Sequence, residues 1–325
     1  MRTIDKNNVS QWISLYNEAT FKDINQLLDR TDFSMLQGQL VKRFSEEYLT
    51  NSLLSCTHWL ALTYYAITGK WKPAVPLGSV CSMIWAGAHC FDDLNDGDLS
   101  SKWNITHAGA DASITSFTFA TLLTQERLRT IRMPVKRYKR VQEITSRGLL
   151  NLLGAQLEDI HATGDYHVDL KSVEASVMQR EPWGIFMRLG AEFAGASPEV
   201  VEAYGVFGDY LGLSGSLRKD YQELHRDPEC RDLKNGTCTL YLTSCLAQME
   251  QDERSEFVGT LQLAREDDEA RSRVKKQLAQ GRFMQSFLAL LKGYRIEPMK
   301  ALDIASPPEP LRLIFKDALM SSTYP

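Results

Sequence analysis

Five residues, Asp92-Asp93-Leu94-Asn95-Asp96, concentrate acidic chemistry at one point in the chain. They follow an apolar run at residues 80–90. If that run is a helix continuing through Asp96, then Asp92 and Asp96 lie one turn apart on one face. Two like charges so placed repel by about 0.2–0.5 kcal/mol in an isolated helix. The apolar flank adds a desolvation cost. A cation removes both penalties. Hard carboxylate oxygens at this spacing suit Mg2+, which keeps several waters and binds through one or two carboxylates plus substrate phosphates. Taken alone, the segment also reads as a solvated acidic helix end.

Two further acidic segments stand in helical patterns. In Gly212-Leu213-Ser214-Gly215-Ser216-Leu217-Arg218-Lys219-Asp220-Tyr221-Gln222-Glu223, Asp220 and Glu223 are three apart. Soon after comes Asp232-Leu233-Lys234-Asn235-Gly236-Thr237-Cys238-Thr239-Leu240. Between the first motif and these lies Gly154-Ala155-Gln156-Leu157-Glu158-Asp159, within a long helical pattern.

The elements that must position these residues are helices. Apolar residues recur at three and four, and strand-like alternation is scarce. The spacing predicts helices over residues 36–49, 136–163, 199–224, 237–250 and 270–292. In the 136–163 stretch the apolar set is Val141, Ile144, Leu149, Leu152, Leu153 and Leu157. Breakers fall at 69–76, 97–104, 163–166, 195–198, 228–236 and 298–310, all too short to be linkers. The expectation is one all-α domain over residues 1–325, of about ten helices.

Composition narrows the function classes. The 325 residues are 43% hydrophobic and 24% charged, with 37 Lys plus Arg against 41 Asp plus Glu, a net charge of −4. That mix excludes disordered, collagen-like and coiled-coil chains, and the balance argues against a nucleic-acid binder working by bulk positive charge. The opening residues have no apolar stretch of the secretory kind. The longest apolar runs, at 60–67 and 75–90, are interrupted by polar residues and fall short of a clean membrane span. Cys56, Cys81, Cys90, Cys230, Cys238 and Cys245 form no C-x-x-C pair and are read as reduced thiols. The expected location is cytoplasmic.

These motifs, taken together, resemble the trans-isoprenyl diphosphate synthases, within the class I terpenoid synthase fold. Asp92-Asp93-Leu94-Asn95-Asp96 matches the family's D-D-x-x-D fully. His107 is placed like the histidine that precedes the next helix. Gln156 and Asp159 match the Q-x-x-D of G-Q-x-x-D. Gly212, Leu213 and Asp220, with Leu217 and Glu223 as conservative replacements, match the second motif, G-L-x-F-Q-I-x-D-D-x-x-D. Asp232, Leu233, Gly236, Thr239, Leu240 and Leu242 match the following D-L-x-x-G-K-x-T-L-P-L. Order and spacing agree over roughly residues 60–245. The resemblance implies an all-α, single-domain helical bundle of the isoprenyl diphosphate synthase type, two or three Mg2+ ions, an allylic prenyl diphosphate as substrate, and a homodimer.

The departures fall on cations. Chain-elongating members carry G-G-K-R-x-R-P before the first motif, whereas residues 44–69 here contain no Lys or Arg. The arginine pair after D-D-x-x-D is replaced by Leu99-Ser100-Ser101-Lys102-Trp103, leaving only Lys102. The family's K-T pair falls at Glu181-Pro182-Trp183-Gly184. The lysine of G-K is Thr237, the glutamine of F-Q is Ser216, and the first aspartate of the second motif is Lys219. A diphosphate needs cations around it. Most of the Mg2+ half of the site is kept and most of the Lys/Arg half is lost. The chain is therefore expected to ionise one allylic diphosphate and to bind isopentenyl diphosphate poorly or not at all.

The roles implied are specific. Asp92, Asp96 and Asp220 would be catalytic metal ligands, with Asp93, Glu223 and Asp159 as further or outer ligands. Arg218, Lys219 and Lys234 would contact the diphosphate. Trp85, Phe91, Gln156, Trp183 and Phe186 would line the pocket that keeps the cation from water. The leading expectation is a terpene synthase. The alternatives are a prenyltransferase to a peptide or small-molecule acceptor, a chain-elongating synthase, and a non-catalytic partner subunit.

Overall fold

Val75–Asp96 forms one helix of 22 residues in the computed structural model of the chain. Pro76 sits in its first turn, where the missing N–H costs no bond. Gly97 ends it with a left-handed φ of +74, donating its N–H to the carbonyl of Asp93, and the N–H of Asp98 reaches the same carbonyl at 2.8 Å. Glycine takes that φ without the penalty a Cβ would bring, and the helix stops at Asp96. The structure describes residues 4–49, 57–103, 107–226 and 230–322. Cys56 and the side chain of Lys102 lie outside the described residues.

No strand occurs among the described residues. More helices form than the ten expected, because short ones such as Arg231–Asn235 and Thr124–Thr130 escape a periodicity argument, while the stretch predicted at 237–250 is helical only over Leu240–Leu246. The stretch predicted at 270–292 is two helices, Asp268–Leu278 and Gly281–Gly293. The carbonyl of Leu278, orphaned at the break, accepts a hydrogen bond from the Tyr241 hydroxyl at 3.2 Å.

The described residues fall into two compact units, each built from three stretches. Unit one takes its residues from 1–146, 185–205 and 305–314; unit two takes its own from 147–184, 206–304 and 315–325. The single-domain expectation thus meets a chain that passes between two units several times.

In unit one, Val75–Asp96 packs against Val9–Leu28, Met35–Tyr48, Ala108–Phe117, the π-helical turn Thr118–Leu123 and Thr124–Thr130. By length and composition, the helical stretch Lys72–Asp96 could cross a membrane, with a mean hydropathy of 1.3. Its apolarity is spent on the core: 67% of the window is buried inside the protein. Phe44 stacks on Phe119 with ring centroids 4.1 Å apart, and Ile24, Tyr48, Met83, Cys90 and Trp103 join them. Burying each such side chain contributes about 1.5–3 kcal/mol. At Gly87 a Cβ would sit 2.8 Å from that of Ala120, so the π turn approaches this helix at a distance only glycine allows. Asp23 accepts both forks of Arg127, at 2.7 and 2.8 Å, and the hydroxyl of Ser79 at 2.7 Å.

In unit two, Leu213, Leu217 and Leu224 turn one face of Pro198–Arg226 into a core with Leu233, Tyr241, Phe257, Phe283 and Phe287. Residue 220 falls beside Leu217 and Leu224 on a helical wheel, at the edge of the buried face. Gly212, Ser216, Lys219 and Glu223 form the adjoining stripe.

Val135–His161 corrects the predicted apolar set. Val141 and Leu152 are buried, but Leu153 and Leu157 are 49% and 57% exposed. With Leu150 and Ile160, also exposed, they make a second apolar stripe at spacings of three, four and three.

Candidate active site

The first acidic motif occupies the last turn of Val75–Asp96, with Asp92 and Asp96 one turn apart as expected. A helix C-terminus carries partial negative charge, and carboxylates there are disfavoured. No basic residue sits in that turn to offset them. Asp93 points elsewhere: its Oδ2 accepts the Tyr48 hydroxyl at 2.8 Å. Burial pushes the pKa of Asp93 up, the Tyr48 hydrogen bond and His89 pull it down, and Asp92 and Asp98 raise it, for a net rise. Trp85 is half-buried and packs edge-on against His89, with centroids 4.4 Å apart. Phe91 is half-buried in the same helix, and Phe186, also of unit one, is in the core at 1% exposure. His107 is the exposed N-cap residue of Ala108–Phe117 and makes no side-chain capping bond.

The second acidic cluster belongs to unit two. The backbone N–H of Tyr241 donates to Asp220 Oδ2 at 3.2 Å. Burial pushes the pKa of Asp220 up to about 7, with Asp232 adding to the rise; the Tyr241 N–H, Arg180 and Lys219 pull against it. Asp232 is pushed up to about 6 by burial and by Glu223, against Lys219 and Arg231. Burial thus disfavours the charge on both carboxylates, and a neighbouring carboxylate adds to each rise, Asp232 at Asp220 and Glu223 at Asp232. Lys219 lies 3.7 Å from Glu223. Burial works against its charge, but Glu223, Asp220, Glu181 and Asp232 outweigh that and hold its pKa up. It supplies part of the counter-charge that the cluster needs. Asp159 is paired with Arg180 at 2.5 Å.

Glu181 opens the stretch Glu181-Pro182-Trp183-Gly184, where the resemblance places a K-T pair. Its Oε1 accepts the Ser216 hydroxyl and its Oε2 accepts the Trp183 indole N–H, both at 2.6 Å. Gly212 makes room: a Cβ there would lie 2.7 Å from that of Glu181 and 2.8 Å from Trp183 Cδ1. The replacements at 181, 183 and 216 are therefore one hydrogen-bonded unit, and the side chain expected to line a pocket, Trp183, is a donor within it.

The remaining expected residues scatter. Arg218 leaves its neighbours in the motif and donates to the carbonyl of Ser321. Lys234 lines a cavity with Arg265. Gln156 is buried, at 9% exposure. Asp232, Arg180, Glu181 and Tyr48 have no assigned role in the sequence reading. Asp232 was legible as part of the matched Asp232-Leu233 pair; Tyr48 carried no signal, being 45 residues from its partner.

A metal ion tests the arrangement. Among the described residues no three His, Cys, Asp or Glu side chains converge as a cage. Mg2+ does not need one, since it fills most of its octahedron with water and phosphate oxygens. The donor set is all carboxylate, placed at a helix C-terminus that repels negative charge and around Asp220 and Asp232, whose charged forms burial disfavours. The residues fit the ion.

No family model and no curated protein matches the sequence. Solved structures do match. Geranylgeranyl pyrophosphate synthase from Corynebacterium glutamicum, complexed with isoprenyl diphosphate and magnesium, aligns at a TM-score of 0.78 and 16% identity over 95% of this chain and 98% of its own. Decaprenyl diphosphate synthase from Rhodobacter capsulatus aligns at 0.77 and 15%, over 98% of both chains. Polyprenyl synthetase from Streptomyces coelicolor A3(2) aligns at 0.78 and 15%, over 95% and 98%. Nearly the whole chain therefore takes the all-α fold of the trans-isoprenyl diphosphate synthases.

Proposed function

We propose that the protein is a Mg2+-dependent class I terpene synthase that ionises an allylic prenyl diphosphate and lets the cation cyclise or be quenched, with no elongation by isopentenyl diphosphate. The observation that carries this reading is the carboxylate cluster of Asp220, Asp232 and Glu223, in which burial and neighbouring carboxylates disfavour the charge on Asp220 and Asp232, in a fold shared with diphosphate synthases. Mg2+, when bound, stabilises the charge growing on a diphosphate leaving group. Asp92 and Asp96 would hold it at the end of their helix; Asp220, Glu223 and Asp232 would hold it in the second cluster. Tyr48 keeps Asp93 oriented. Lys219 offers a direct cationic contact for diphosphate oxygens.

The loss of elongation rests on the charge at Glu181. A carboxylate clasped by Ser216 and Trp183 repels a diphosphate. The same carboxylate can take a proton, which favours a second reading: transfer of the prenyl group to an acceptor that must lose a proton, such as a peptide side chain or a small nucleophile. A homodimer is proposed on the exposed stripe Leu150, Leu153, Leu157 and Ile160, since a contiguous apolar face of this kind calls for a cover.

The deciding experiment incubates the purified protein with Mg2+ and geranyl, farnesyl or geranylgeranyl diphosphate, with and without isopentenyl diphosphate. Extractable product and free diphosphate are both followed. Hydrocarbon or alcohol formed without isopentenyl diphosphate is the expected result. Elongated diphosphates would refute the reading. No product and no diphosphate release would refute it in favour of a missing acceptor or partner subunit.

A further inference from the structure

Seven Lys or Arg residues and no Asp or Glu stand within residues 127–140, in a chain of net charge −4. The segment comprises the end of Thr124–Thr130, a turn at 131–134 and the start of Val135–His161. Three of the seven cations hold unit one together. Arg127 takes both oxygens of Asp23, Arg137 donates to the carbonyl of Phe193 at 3.3 Å, and Arg140 lies 3.3 Å from Glu192. Arg129 pairs with Glu126 on the surface. The other three, Arg132, Lys136 and Lys139, are exposed and have no ion-pair partner among the described residues. Val135 stands among them and is 72% exposed.

Packing within unit one sets where this turn lies. Cys90 Sγ is 3.9 Å from the carbonyl oxygen of Ala112, the Ser116 hydroxyl donates to the carbonyl of Gly87, and Asp23 accepts from both Ser79 and Arg127. Residues 108–130 thus run antiparallel to Val75–Asp96. The basic turn is at the end of that helix away from Asp92 and Asp96, roughly 25 Å along it at 1.5 Å per residue. Tyr64 meets Phe193, the anchor of Arg137, with ring centroids 5.3 Å apart. That contact brings the end of His58–Thr68 to the same place, with Ile67 36% exposed and Lys70 just beyond it. Unit one is therefore polar along Val75–Asp96. Carboxylates stand at one end, and unpaired cations around exposed aliphatic side chains stand at the other.

We propose that the basic end of unit one docks on an anionic membrane surface. Each Lys or Arg near such a surface strengthens partition by about fivefold, and Val135 adds apolar contact at the headgroup boundary. The same field repels the acidic end, so docking turns Asp92 and Asp96 away from the bilayer. A nucleic acid would satisfy the cations but offers no apolar layer to Val135. The inference is independent of the reaction proposed above, and its test needs no turnover.

The full-length protein is sedimented with vesicles of phosphatidylcholine alone or mixed equally with phosphatidylglycerol. Chelator is present, so that no divalent ion bridges carboxylates to lipid phosphates. Binding to the mixed vesicles is expected, with little to the neutral ones, and it falls as salt rises from about 0.05 M to about 0.5 M. Lys136→Gln combined with Lys139→Gln weakens partition by about twentyfold, and Val135→Ser by about threefold or more. Arg273→Gln combined with Lys276→Gln, at exposed positions of unit two, leaves it unchanged. Circular dichroism of each variant checks that the fold is kept. No preference for anionic vesicles overturns the proposal. So does a loss below about fivefold for the lysine pair or about threefold for Val135→Ser, or an equal loss in the unit-two pair. A duplex oligonucleotide bound more tightly than the mixed vesicles overturns it in favour of a nucleic-acid surface.

Discussion

Replacing Asp220 by Asn tests whether the second cluster is a site held at a cost to the fold. The carboxyl's pKa moves from an ordinary 3.8 to about 7 in the folded protein. A raised folded pKa means that the native state binds more protons than the unfolded chain, so stability falls as pH rises from about 4 to about 7. Above pH 7 the whole penalty is present, at most about 4 kcal/mol. It shrinks to about 2 kcal/mol at pH 5 and nearly vanishes at pH 4. Water reaching the carboxylate lowers all three figures in proportion. Asn keeps an acceptor for the Tyr241 N–H and loses the charge.

The metal-free variant should therefore melt several degrees above the parent at pH 8, and the gain should contract steadily toward pH 4. Thermal unfolding in chelator at four pH values, followed by circular dichroism, measures this. Adding Mg2+ at pH 8 should raise the melting point of the parent and do little for the variant. A variant no more stable than the parent at pH 8, or a gain that does not depend on pH, would refute the electrostatic argument. A parent indifferent to Mg2+ would refute the assignment of the cation.

Asp92→Ala and Asp96→Ala should each lower diphosphate release by roughly a thousandfold, the loss of several kcal/mol of charge stabilisation, read by a phosphate-release assay. Retained turnover in both would remove the first motif from the mechanism. Lys219→Asp should change the rate or the product pattern in gas chromatography; an unchanged profile would set residue 219 away from the diphosphate. Leu153→Glu combined with Leu157→Glu should shift the protein to a monomer in light scattering, since both side chains stand on the exposed apolar stripe.

Helix existence and the end of the first-motif helix were readable from the sequence because their causes are local. Apolar spacing marks Val75–Asp96, and Gly97 stops it. The breaker segments at 69–76, 97–104, 163–166, 195–198 and 228–236 each contain a glycine with positive φ. What escaped was set by partners distant in the chain. Which side of Val135–His161 is buried depends on what packs there, so Leu153 and Leu157 were misplaced while Val141 and Leu152 were not. Tyr48 and Asp93 meet across 45 residues, and no spacing rule reaches that far. Arg218 sits beside Lys219 in sequence, yet a helix turns adjacent residues about 100° apart. Lys219 faces Glu223, and Arg218 reaches the carbonyl of Ser321.

The substitutions at Lys219, Glu181 and Ser216 are better understood as a redistribution of charge than as decay. Random loss of the K-T pair at residues 181–184 would leave small or indifferent side chains. Instead a carboxylate stands there with both oxygens hydrogen-bonded, over a glycine that alone gives it space. One stripe away, a lysine replaces an aspartate, and it stabilises the charged forms of Asp220 and Asp232. A positive charge is given up within residues 181–184 and one stands at 219, on the same helix as Asp220 and Glu223. A binding surface that had merely lost its function would not be expected to keep its hydrogen bonds satisfied at the altered positions. This pattern favours a site re-specified for one diphosphate and a different fate of the cation over an inactive partner subunit.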